Sequence, residues 1–399
     1  MNPKTAPFDP LHHNYQLGVR ILTPVHVGIG TDQAWERALD FFMQDGRLNI
    51  IEQSGVQRWL MNEPGRGTGS LLDEYLDLMG QIPLPYERLE TLIRNSGIDL
   101  PAFRTHAFDY RGYETPPNQI QRHIRTGTGQ LYLPGSSIKG AIRSAIYRYL
   151  YRILRVRHAD SQTENNLIGS FDRSIMRFIR PFDVPFASSE LVEVFLMNLY
   201  RKRVNWESDY KDMPSLTLET LRVGAQATQP MRLSIATGFL DMVEQGIKRP
   251  ELLPSHLRKI IRRERPLEFL FGLINQHTLL HVDRELDFFR TYPQAEDLDR
   301  ILEVLEDLQR DLLAMGEEPS RCILRMAWGS GFHSITGDWR FPDHLTTIHE
   351  PDERNKVYSQ RLRSKEAARY KSRRLAEKNR GDYFAPMGFV ELSLDSENE

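Results

Sequence analysis

Cysteine is nearly absent: Cys322 is the one thiol in 399 residues. That excludes a disulfide framework and any zinc site built from paired cysteines, and it suits a reducing cytoplasm, the expected location. Long apolar runs are missing as well. No stretch approaches the roughly 18 residues a membrane-spanning helix needs, and no basic-then-apolar leader opens the chain, so neither a membrane association nor export is expected. The chain has no GxSxG, HExxH or paired-cysteine motif, so the common hydrolase and zinc signatures are excluded. Net charge is only −2, too small for a generic polyanion binder.

Charge is instead segregated. No acidic residue occurs between Thr115 and Ala159, whereas Glu285–Glu318 is rich in Asp and Glu. A basic face for a polyanion and an acidic face that is solvated or turned to a partner fit a subunit of a complex. With 40% hydrophobic and 27% charged residues, the chain can bury a large core as one big or two ordinary domains.

The acid-free stretch contains Gln130–Leu154, QLYLPGSSIKGAIRSAIYRYLYRIL. A short apolar strand, Leu131–Leu133, runs into Pro134-Gly135-Ser136-Ser137. Apolar residues then recur at Ile138, Ala141, Ile142, Ala145, Ile146, Tyr149 and Leu150 with a 3.6-residue period, which predicts a helix over 136–157. Ser136 or Ser137 is placed to cap it. Its polar positions are basic, among them Lys139 and Arg143 one turn apart. A helix start already carries partial positive charge and free N–H groups, so this end reads as an anion site, most simply for a phosphodiester backbone. It is not a P-loop, because Lys139 precedes Gly140 and Ala141-Ile142 stand where a P-loop carries Lys-Ser/Thr after its second glycine. The plainer reading is a solvated basic helix face with an ordinary serine cap.

Two further segments have the same character. Tyr15–Thr31 alternates Leu17, Val19 and Ile21 with polar residues and ends in His26-Val27-Gly28-Ile29-Gly30. Cys322–Asp338 runs an apolar strand into Trp328-Gly329-Ser330-Gly331-Phe332, and the chain returns as Pro386-Met387-Gly388-Phe389-Val390. Glycine lets backbone N–H groups approach a phosphate closely, although each loop alone reads equally as a tight turn.

Taken in order, LYLPGSSIKGAIRSAI, the HVGIG loop, the WGSGF loop and the PMGFVEL ending resemble the RAMP proteins of CRISPR effector complexes, over residues 15 to 392. Their lengths and motifs most resemble the cap subunit of type III-A Csm complexes, and Phe178–Ser189, FIRPFDVPFASS, resembles that subunit's mid-chain strand. The resemblance implies an α+β fold of two RRM-like (ferredoxin-like) RAMP modules with helical insertions. It implies a non-catalytic RNA-binding structural subunit that holds the crRNA near its 3′ end, caps the backbone filament and supports crRNA maturation. Its partners would be the crRNA, the adjacent backbone RAMP subunit, target RNA indirectly and host nucleases, with no cofactor and no metal. The residues expected to contact RNA are His26, Gly28, Gly30, Gly135, Ser136, Ser137, Lys139, Gly140, Arg143, Gly329 and Gly331, with Arg122 and Arg125 added from the basic loop beside Thr126-Gly127-Thr128-Gly129. The alternative is a RAMP endoribonuclease that processes repeat RNA with His26 as general base.

Expected boundaries follow composition. Residues 1–165 form the first module, 166–350 the second with a helical insertion near 252–315, and 351–399 a basic helix and a final strand. That helix is inferred from eleven Lys/Arg against four Asp/Glu in Pro351–Arg380, although such a run is more often a solvated or disordered linker. Asp45-Gly46 signals a hairpin between strands 37–43 and 47–51. Helices are expected at 54–61 and 71–79, a flexible loop at 62–70 and an irregular insertion at 97–130 carrying Arg122, His123 and Arg125. Catalytic candidates are few. Asp32 lacks the glycine-rich context of the nuclease loop of the backbone RAMP. His277 and His281, four apart with Asp283 and Glu285 nearby, fall short of the three or four ligands a metal needs and read more simply as a polar helix edge.

Overall fold

The computed structural model describes residues 12–30, 33–62, 70–156, 162–170, 174–197, 216–238, 260–261, 264–291, 296–316, 319–331, 334, 345–351, 357–363, 373–379 and 383–394. In chain order the strands and helices are β1 (His13–Ile21), β2 (Trp35–Glu36), β3 (Phe41–Gln44), β4 (Arg47–Ile51), α1 (Gln53–Asn62), α2 (Leu71–Met79), α3 (Tyr86–Asn95), β5 (Arg104–Asp109), β6 (Gln119–Gln121), β7 (Leu131–Leu133) and α4 (Gly135–Ile153). Then come α5 (Thr163–Ile168), β8 (Ile179–Pro181), β9 (Val184–Phe186), β10 (Ser189–Met197), β11 (Leu216–Leu221), β12 (Met231–Ile235), α6 (Pro266–Thr291), α7 (Glu296–Ala314), β13 (Arg321–Arg325), β14 (Leu345–Pro351), β15 (Val357–Arg363), β16 (Arg373–Lys378), β17 (Tyr383–Pro386) and β18 (Phe389–Leu394).

The architecture is α+β with helical insertions. One sheet has the order β13-β18-β1-β12-β8, and the other β17-β16-β10-β11-β6-β2. The alternation read in β1 sends Leu17, Val19 and Ile21 to one face. There they meet Leu233 and Leu392 from the neighbouring strands, Ile138, Ile142 and Ile146 of α4, and Leu270 and Phe271 of α6. Helix α4 is therefore clamped between the sheet and α6, and the clamp sets where its first turn points. A second cluster joins Val282 and Leu286 of α6 to Ile301 and Leu305 of α7, Leu375 and Phe389. Helices α1, α2 and α3 close their own small core around Leu60, Tyr75, Leu89 and Ile93.

Both sheets draw strands from all three expected spans. β1 lies between β12 and β18, so pairing crosses the boundaries at 165 and 350. The hairpin at Asp45-Gly46 is present, with both residues at positive φ (51° and 70°), the geometry a two-residue turn requires. The helical insertion appears as α6 and α7, and the stretch 97–130 is partly ordered as β5 and β6.

Three expectations are corrected. The basic helix in 351–380 is absent from its described parts, which are strands β15 and β16. β16 pairs with both β10 and β17, and its Leu375 and Ala376 are fully buried; sheet pairing overrides a local pattern poor in apolar positions. Helix α4 ends at Ile153 rather than 157, because Arg155 turns left-handed (φ 48°). Glu285, counted with the acidic surface, is 1% exposed and lies between Arg325 and Arg373. Asp32, residues 63–69 of the expected loop and Phe332 of the WGSGF loop lie outside the described residues.

Candidate nucleic-acid interface

The three glycine-bearing segments, remote in sequence, meet at one junction. The Trp328 N–H donates to the carbonyl of His26 at 3.0 Å, the Gly388 N–H to that of Pro24 at 2.9 Å, and the Met326 N–H to that of Gly388 at 2.8 Å. Glycine is needed here for close approach. A Cβ on Gly388 (φ 98°) would stand 2.3 Å from the Met326 carbonyl oxygen, and one on Gly329 (φ 84°) 2.6 Å from Met387 Sδ. Gly28, Gly30 and Gly331 open outward: Gly28 and Gly30 are exposed and Gly331 half-buried.

Under the junction sits a carboxylate that sequence reading passed over. Glu219 of β11 is fully buried. It accepts two hydrogen bonds from the Arg125 guanidinium (2.6 and 2.5 Å), one from the Ser189 hydroxyl (2.6 Å) and one from the His123 N–H (3.0 Å). Burial alone would raise its pKa; these donors and the Arg125 charge overcome that and hold it below the usual carboxylate range. Its main-chain carbonyl takes the Nδ1–H of His26 at 2.7 Å. The one available signal was a Glu inside the alternating strand LTLETL, where a charge in a doubly buried strand needs a partner.

His26 is 3% exposed. Burial depresses its pKa, against the opposing pull of Glu219. It packs edge-on against Trp328, with ring centroids 6.0 Å apart. Its ring buttresses the loop from within, between the Glu219 carbonyl and Trp328. His123 is fully buried and held neutral at about 4 by burial; it accepts from the Val27 N–H at 3.2 Å and donates to the Tyr132 carbonyl at 3.0 Å. Arg125 is spent on Glu219, while Arg122 lies with its guanidinium carbon 5.1 Å from the Trp35 ring centroid.

At the start of α4 the structure changes the expected capping. Pro134 is the N-cap and no side chain of the first turn caps the helix. The Gly135 N–H goes to Asp183 Oδ1, 2.8 Å away and from another segment. Gly135 is buried, and a Cβ there would lie 2.4 Å from the Pro181 carbonyl oxygen, so its role is packing. Ser136 and Gly140 are exposed, Ser137 and Lys139 half-buried. Partial burial, and then Arg180 nearby, lower the Lys139 pKa. Arg143 pairs with Glu164 of α5, an acid beyond the acid-free stretch, so it is not the bare cation the sequence suggested. A groove of about 480 Å³ lies between α4 and the closing loop, lined by Ser137, Gly140, Arg143, Tyr147, Glu164 and Trp328. The arrangement offers exposed glycine backbone, hydroxyls and the Lys139 ammonium, which has no carboxylate partner among the described residues, a set that binds anions by position rather than by chemistry.

His277 and His281 face each other inside α6, Nε2 to Nε2 at 3.1 Å. Among the described residues, no group of three or more His, Cys, Asp or Glu side chains is placed to hold a metal ion, and no helix is long and apolar enough to cross a membrane.

A family model described as the RAMP superfamily matches residues 19–321. The chain belongs to the RAMP superfamily. Its fold is similar to a chain of a Csm–crRNA–target RNA ternary complex of a type III-A CRISPR-Cas system, with a TM-score of 0.62 and 16% identity over 96% of this chain and 100% of that one. It is also similar to Csm5 of T.onnurineus, with a TM-score of 0.59 and 17% identity over 94% and 99% of the two chains. No curated protein sequence matches it.

Proposed function

We propose that this chain is a non-catalytic RNA-binding subunit of a type III-A Csm complex, holding the crRNA near its 3′ end and capping the backbone filament. The observation that carries the reading is the junction itself: on a RAMP fold, the HVGIG loop is hydrogen-bonded to the closing glycine loop, and the start of α4 faces that loop across a groove, with exposed glycines at both the loop and the helix. The likeness in fold to Csm subunits supports the choice of complex. The burial of His26 speaks against the endoribonuclease alternative, since its ring does not reach a ribose hydroxyl at the surface. Host nucleases remain partners by resemblance only.

The chain carries little net charge, and phosphate neutralisation supplies most non-specific affinity. Its RNA site is then completed by the adjacent backbone subunit, whose binding raises affinity through effective concentration. The test is crRNA affinity of the full chain with and without that subunit at matched salt. Weak binding alone and firm retention with the neighbour are expected. Equal affinities refute the capping role, and metal-independent cutting of repeat RNA by the chain alone refutes the non-catalytic one.

A further inference from the structure

The edge of the five-stranded sheet beside α4 carries an exposed aromatic that the glycine junction does not use. Phe182 is 40% exposed, the one aromatic among the large hydrophobic side chains left exposed among the described residues. Its position is held from both sides. The Phe182 N–H donates to the Arg232 carbonyl at 3.0 Å, and Arg180 stands opposite Ser234 in the β8–β12 ladder. Arg180 and Phe182, two residues apart, therefore share the outer face of this edge. The Arg232 guanidinium lies over the Phe182 ring, 3.8 Å from its centroid.

The patch is also cationic. Among the described residues, no carboxylate forms an ion pair with Lys139, Arg180 or Arg232; the Arg180 Nε–H donates to the Arg177 carbonyl at 3.0 Å, a neutral acceptor that leaves its charge uncompensated. Lys139 is close enough to Arg180 for the two charges to oppose each other. Asp183, next to Phe182 in the chain, gives its carboxylate to the Gly135 N–H. Gly135 in turn packs on the Pro181–Phe182 backbone, which ties this edge to the first turn of α4. Flat aromatic and guanidinium surfaces among uncompensated cations are what an unstacked base and its phosphate recognise, whatever the base. An acidic protein surface would satisfy the cations but not use the flat stack.

We propose that the Phe182–Arg232 pair, with Arg180 and Lys139 beside it, is a stacking platform that takes one unpaired nucleobase of the bound RNA. This rests on the RNA-binding reading above. The test uses the full chain and a single-stranded RNA oligonucleotide with 2-aminopurine at successive positions, titrated at several salt concentrations. One position should be quenched on binding. Phe182→Ala should abolish that quenching and weaken binding about 5- to 150-fold, the range for losing one stacked base, with the salt slope unchanged. Phe182→Trp should restore both. Arg180→Ala should instead lower the slope by about 0.7, one phosphate contact on a single strand. Wild-type protein that binds no RNA overturns the RNA-binding reading and the platform together. Wild-type binding that Phe182→Ala leaves unchanged in affinity and fluorescence overturns the platform alone. Unchanged RNA binding with weakened association of the neighbouring subunit also overturns it and assigns the patch to a protein contact.

Discussion

Replacing Glu219 with Gln tests whether one buried carboxylate holds the junction together. The substitution keeps the shape and removes the charge. In the native protein Glu219 is fully buried and takes hydrogen bonds from both Arg125 terminal nitrogens, Ser189 and the His123 N–H. Breaking a buried ion pair by removing one partner costs about 3–5 kcal/mol. The Arg125 side chain keeps 20% exposure and can recover some hydration, so the lower end, about 3 kcal/mol, is expected. Urea unfolding of the full chain should show a lower midpoint with an unchanged slope. A double-mutant cycle with Arg125→Met should give a coupling of about 2 kcal/mol or more, because removing both charges leaves neither unpaired. The pH dependence has a definite sign. The folded pKa of Glu219 is depressed, so its stabilisation is present above the unfolded value of 4.5 and lost as pH falls through the folded value. A loss below about 1 kcal/mol, or coupling near zero, would refute the view that this carboxylate organises the junction.

Three more outcomes follow from the same geometry. Gly388→Ala meets the Met326 carbonyl oxygen at 2.3 Å from a left-handed backbone, so unfolding should show a loss of about 2 kcal/mol or more; near-neutral stability would contradict the close approach. Lys139→Ala should lower the salt slope of RNA binding by about 0.7. Arg143→Ala should lower it less, because Glu164 already neutralises Arg143, and equal effects would show the pair opening on binding. Burial holds His123 at about 4 and His277 at about 3, both from 6.5. The unfolded chain therefore takes up protons the folded one refuses: stability is intact above pH 6.5 and falls as pH drops toward 4, by up to about 1.4 kcal/mol per pH unit for each histidine. A flat stability profile between pH 6.5 and 4.5 would contradict that.

Local pattern determined the elements whose reasons are local. The alternation in β1, the period of α4, the Asp45-Gly46 turn and the helical insertion were all readable, because a side-chain period or a positive-φ turn is a property of neighbouring residues. The order of the glycine motifs was readable too, and with it the family. What lay outside local pattern was every partner supplied from far along the chain. Asp183 takes the N–H at the start of α4, Glu164 quenches Arg143, and Glu219 takes Arg125. The apparent basic run at 351–380 hid strands whose buried positions appear only once β10 and β17 flank β16. A count of charges along the sequence treats each cation as free, whereas burial lets a cation persist inside only beside a carboxylate brought there by the fold. The sequence by itself therefore decided which segments form the interface, and the tertiary structure alone decided which of its charges remain available to a ligand.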